Sequence, residues 1–244
     1  MKKVIRILIV VFASQFTAVV LSVNAQAFVV DYPSIFGDSW TKADLFVHTN
    51  ESWMYKRSTD NEVDYSFAVS IIFPELVRYS ALRDRIEITL LKALYINYGP
   101  EYADFSIGVF QIKPSCAEAV LQEVSRMNDA KFAANFIPID STASAIQIRA
   151  AIVKELEDPQ KEFNYVLAII KFLNARFDHP EWRNKQEQLV FYATAYNCGF
   201  SNNEAYIKRQ ISQKSFHTGL IKPDLLFSFS DISLVYYNAL KHSK

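Results

Sequence analysis

The chain has 244 residues, half of them apolar, with 26 basic and 26 acidic side chains. A balanced charge gives no field to hold a polyanion, so nucleic acid drops out as a partner, while the apolar half is enough for one sizeable core. His48, His179, His217 and His242 are scattered without HExxH or paired-ligand spacing, so no metal site is expected.

At the N-terminus, Lys2, Lys3 and Arg6 precede an apolar segment, and Ala25-Gln26-Ala27 supplies a small-x-small cleavage pattern. This predicts a signal peptide over 1–27 and export to the periplasm or the exterior. The rival reading, a membrane anchor over 4–23, is interrupted by Arg6, Ser14, Gln15 and Thr17. Cleavage would leave the chain slightly acidic, with Cys116 and Cys198 in an oxidising compartment where they are free to pair if geometry allows.

Helices are predicted over 39–57, 65–80 and 84–98, followed by an irregular segment from 99 to 114. Ser115 with Glu118 has the capping-box spacing, and Ala117, Val120, Leu121 and Val124 then fall on one face. Ser144 with Gln147 marks another start, for a helix over 144–157. Asp158 followed by Pro159 marks the next, whose apolar residues at Phe163, Val166, Leu167, Ile170, Leu173 and Phe177 keep the 3.6 period. Further helices are predicted over 186–198, 203–213 and 230–242, with irregular chain from 215 to 229. Short β-like runs such as 28–30 exist, but nothing alternates long enough for a sheet of any size. The fold class is therefore mainly α, with no repeat, linker or domain boundary after residue 28.

Only five glycines occur, and two stand in informative places. Gly108 lies in Gly108-Val109-Phe110-Gln111-Ile112-Lys113-Pro114, where a missing Cβ permits a tight turn or a close backbone approach. Gly199 ends Ala195-Tyr196-Asn197-Cys198-Gly199, at the position where glycine closes a helix in a left-handed conformation. A plain turn and a plain helix end account for each alone.

Together, and in this order, the two stretches resemble the Gly-Leu-Met-Gln-x-x-Pro and Ala-Tyr-Asn-x-Gly motifs of soluble lytic transglycosylases and their goose-type lysozyme relatives. The tyrosine pair in the segment 229–240 is similar to that family's last helix. The resemblance covers about residues 65–242 and implies a lysozyme-like helical domain over 65–244. Residues 28–64 would be an N-terminal extension packed on that domain. It further implies an enzyme that cleaves peptidoglycan glycan strands without a cofactor, using one glutamate as acid and then as base.

For that glutamate, Glu51 in Asn50-Glu51-Ser52-Trp53 competes with Glu75 in the apolar run Phe67–Leu76. Glu75 is the better candidate, since apolar burial would keep its proton on near neutrality. Pro74 and Leu76 stand where the family carries a polar residue and Ser or Thr, and Pro74 predicts a break in the helix that turns Glu75 into a cleft. By the same resemblance Gln111 would bind the glycan, with Gly108 admitting its backbone. Tyr196 and Asn197 would line the opposite wall with Tyr196 near Glu75, and Ser106 would lend a hydroxyl. Asp104 or Glu101 would be the second carboxylate if the enzyme were an inverting hydrolase. Cys116 and Cys198, one in each wall, are candidates for a disulfide, with free buried thiols as the alternative. Trp53, Trp182, Tyr98 and Tyr102 are candidates for stacking on sugar. The reading that competes from another class is an inert lysozyme-like module that binds glycan or a protein partner in the envelope.

Overall fold

In the computed structural model, which describes residues 30–81, 86–138, 142–177, 182–218 and 225–242, the chain from Tyr65 to Val77 is buried at every position. A helix that is apolar all round has to be enclosed. Accordingly α3 (Tyr65–Ala81) is packed by α2 (Asp38–Asp60), α8 (Pro159–Phe177), α9 (Lys185–Cys198) and α11 (Phe229–His242). Phe73 illustrates the enclosure: its ring stacks on Tyr236 of α11 at 3.4 Å between centroids and meets Trp40 of α2 edge-on at 4.7 Å. The described part of the protein is mainly helical, and none of its helices is long and apolar enough to cross a membrane.

The remaining helices in chain order are α1 (Tyr32–Phe36), α4 (Ile86–Tyr98), α5 (Pro114–Arg126), α6 (Ala130–Ala133), α7 (Ala145–Leu156) and α10 (Glu204–Gln210). Of these, α1 packs on α2, α10 on α9, α5 and α7 on α8, and α4 on α7. A two-stranded antiparallel ribbon joins β1 (Lys214–Phe216) to β2 (Phe227–Ser228). Residues 31–64 pack on the rest of the chain: Tyr32, Phe36, Ala43, Val47 and Met54 are buried in the same core as α3, and Arg57 ties α2 to α8 through Gln160 and Asn164. The predicted leader over 1–27 lies outside the described residues, as do His179 and Pro180.

Local signals read from the sequence hold where their partners are local. Asp158 caps α8 by accepting from the backbone of Gln160 and Lys161, and Ser144 with Gln147 forms the complete capping box of α7. The predicted box at Ser115 and Glu118 does not form. Here α5 starts at Pro114, and the backbone N–H and the hydroxyl of Ser115 both donate to Asp104, eleven residues upstream. Glu118 instead accepts from the Tyr95 hydroxyl at 2.8 Å. Pro74 produces no helix end either: α3 continues to Ala81, held from all sides by its neighbours.

Candidate active site

The 107–112 loop is a knob folded on itself. Ile107 and Ile112 exchange both backbone hydrogen bonds, at 3.0 and 3.1 Å, and the four residues between them turn through positive φ at Gly108 (74°) and Gln111 (57°). Gln111 closes the turn by donating its side-chain amide to the Gly108 carbonyl at 2.7 Å. Phe110 inserts into the core between Phe46 and Phe163.

From behind, the knob rests on Glu162, a fully buried side chain in the first turn of α8, whose carboxyl accepts the Phe110 N–H at 3.1 and 3.2 Å. Burial pushes this carboxyl well above its usual range, against the pull of the backbone N–H groups of Phe110, Ile112 and Val109. This explains Gly108 differently from the sequence reading. A Cβ there would overlap the Leu156 carbonyl and the Glu162 carboxyl, so the glycine makes room for an internal strut rather than for a glycan.

A cavity of about 350 Å³ opens between this knob, the start of α5 and the end of α9. Glu75, on α3, lines it with only 4 % of its surface exposed. Burial pushes its carboxyl up to about 7; the charge and hydrogen bonds of Arg78 keep it from going higher. One turn on, Arg78 donates to both carboxyl oxygens at 2.9 Å. It is itself held by the His217 carbonyl and by the Phe216 ring, 4.5 Å from its guanidinium carbon. The rival Glu51 is exposed on α2.

The opposite wall carries Tyr196 and Asn197, with Gly199 at φ 108° turning the chain at the end of α9. Tyr196 donates its hydroxyl to the Phe110 carbonyl at 2.8 Å, so it braces the knob and does not bond Glu75 directly. Burial, then the charges of Glu162 and Glu75, raise its phenol far above its ordinary value. Ser106, Gln111 and Asp104 also line the cavity. Asp104, however, uses one oxygen on the Ser115 N–H and the other on the Ser115 hydroxyl, with Lys113 at 3.7 Å. It is a helix cap, and Glu101 is exposed.

Cys116 and Cys198 both line the cavity but are free thiols, so the disulfide considered from the sequence is absent. Burial pushes the Cys116 thiol up to about 12 and raises Cys198 as well, which leaves both protonated and poorly nucleophilic. Among the described residues no group of three or more His, Cys, Asp or Glu side chains is placed to hold a metal ion.

Two members of the site escaped the sequence reading. Arg78 was visible as a cation one turn after Glu75. Glu162 had a subtler signal: it shares the buried stripe of Val166, Ile169 and Leu173, where a charge needs an internal partner. Compared with known proteins, the chain matches no family model, no curated protein and no solved structure.

Proposed function

We propose that the protein is a lysozyme-like peptidoglycan lytic transglycosylase, with Glu75 as its general acid and base. The observation that carries this reading is the buried Glu75 carboxyl at the floor of a cleft walled by Gln111 and Tyr196, where burial favours its protonated form. Such a carboxyl holds a proton to deliver to the glycosidic oxygen as the bond to the muramoyl C1 breaks. The resulting carboxylate accepts the proton of the C6 hydroxyl, whose oxygen closes on C1 to give a 1,6-anhydro end. Arg78 steadies the charge that Glu75 acquires between the two steps. No second carboxylate is needed, which suits a site where Asp104 is committed to capping α5. A peptidoglycan substrate lies outside the cytoplasmic membrane, and the basic-then-apolar N-terminus over 1–27 is the kind of segment that would direct the chain there.

Arg78 also favours a second reading. A guanidinium on both carboxyl oxygens stabilises the ionised form, which cannot donate a proton. The protein would then be an inert module that retains the groove. One assay separates the two. Purified protein incubated with sacculi is expected to release soluble fragments with anhydromuramic ends, seen by mass spectrometry, and Glu75→Gln is expected to lower that release about 10²- to 10⁴-fold with the helical signal unchanged. Reducing ends would return Asp104 to the role of second carboxylate. Sacculus binding without release would leave the inert module.

A further inference from the structure

The cleft does not end at the candidate acid. A second hollow of about 590 Å³ shares Ala119, Phe200 and Ser201 with it and runs on between α5 and α8. Its floor is apolar, built on the stacked rings of Phe172 and Phe200, 5.9 Å apart. Its rim is cationic: Arg126, Lys171 and Arg176 face it, against one carboxylate, Glu123.

These cations are incompletely neutralised. Glu123 bonds Arg126 at 2.7 Å on an exposed face, a pairing of small worth. Lys171 stands 4.0 Å from Asp129, long for an ion pair, with its ammonium over the Phe132 ring. Arg176 gives its guanidinium to the carbonyls of Phe200, Ser201 and Asn202, so it holds the turn shared by both hollows while keeping its charge uncompensated. In a chain with equal numbers of acidic and basic residues, such a local excess selects an anion.

We infer that this second hollow binds the acidic peptide branch of the glycan strand, its carboxylates on Arg126 and Lys171 and its small methyl groups over Phe172 and Phe200. The inference rests on the reading of the cleft as a glycan site. Dimensions agree with it. Cys116 in the cleft and Arg126 at the far end of α5 are ten positions apart, about 15 Å of helix. A tetrapeptide carried on a muramoyl sugar reaches about 14 Å when extended. The branch would therefore lie along α5 with its distal carboxylates at the cationic end.

The test is calorimetric, in the Glu75→Gln background so that nothing is cleaved. Three probes are compared: an N-acetylglucosaminyl-N-acetylmuramoyl disaccharide bearing an Ala–Glu–diaminopimelate–Ala tetrapeptide, the same disaccharide with its lactyl group capped as the amide, and the free tetrapeptide. The peptide-bearing disaccharide is expected to bind about tenfold tighter than the amide. Arg126→Gln/Lys171→Gln is expected to erase that advantage and leave the amide's affinity unchanged, which also reports an intact fold. Arg126→Gln alone, on an exposed side chain, carries the comparison at about half the effect on a logarithmic scale. Equal affinity for the two disaccharides, or an advantage that survives in the double variant, overturns the inference and leaves the cleft reading standing. Binding of the free tetrapeptide that the variants weaken, with no binding of the amide, supports the peptide site and overturns the glycan reading. Failure of all three probes overturns both.

Discussion

A carboxyl enclosed by an apolar helix loses its hydration, and a guanidinium 2.9 Å away restores part of that loss. For Glu75 burial outweighs Arg78, and the carboxyl titrates near 7 instead of near 4.5. The sign of the coupling to stability follows. A carboxyl raised on folding adds stability that is complete below its unfolded value and is lost as pH rises through its folded value. The Glu75→Gln variant lacks that loss. Its melting temperature minus that of the wild type should therefore climb between about pH 4.5 and pH 7 and level off above. A difference that stays flat across that window, measured by circular dichroism in matched buffers, would mean that Arg78 cancels the burial. Glu75 was legible in the sequence because an acid closing an apolar run is conspicuous. What Arg78 does to it was not, because the outcome turns on a bidentate contact and on tethers from Phe216 and His217, more than 130 residues away.

Among elements, the 107–112 knob and α8 form one unit. The knob presents Gln111 to the cleft only because Glu162 and Tyr196 hold its backbone from behind and from the side. Gly108→Ala would place a methyl on the Leu156 carbonyl and the Glu162 carboxyl, at a φ that alanine resists. We expect a loss of at least about 2 kcal/mol. For a chain of this size that lowers the melting temperature by about 4–8 °C. A melt that moves less than 1–2 °C, on the order of the shift left by an ordinary surface change, would show that the knob relaxes around the methyl. The sequence marked Gly108 and Tyr196 as significant but assigned them to substrate, since their actual partners sit about 50 and 90 positions away. The capping signals of α7 and α8 were readable for the opposite reason: each donor and acceptor lies within one turn. At α5 the same local pattern misled, because Asp104 reaches the helix start across an irregular loop.

For the whole molecule, the N-terminal helices set the limit of what can be removed. Trp40 and Tyr236 cover Phe73, and the Tyr236 hydroxyl donates to Asp44 of α2 at 2.9 Å. A chain beginning at residue 65 should lose cooperative melting and bind a hydrophobic dye, whereas one beginning at residue 31 should melt as the full protein does. A native-like melt from the shorter chain would mean that the packed N-terminal helices are dispensable for the core. The sequence reading had this segment packed on the domain, but the polar face of α2 hid which of its residues, Ala43, Val47, Met54 and Ser58, turn inward. The placement of Glu75 on α3 has a last consequence. Binding and catalytic residues are often carried on loops, which can open before the body melts. Glu75 instead sits on a helix buried at every position from Tyr65 to Val77, so if it is the acid proposed above, heat inactivation and global denaturation would coincide.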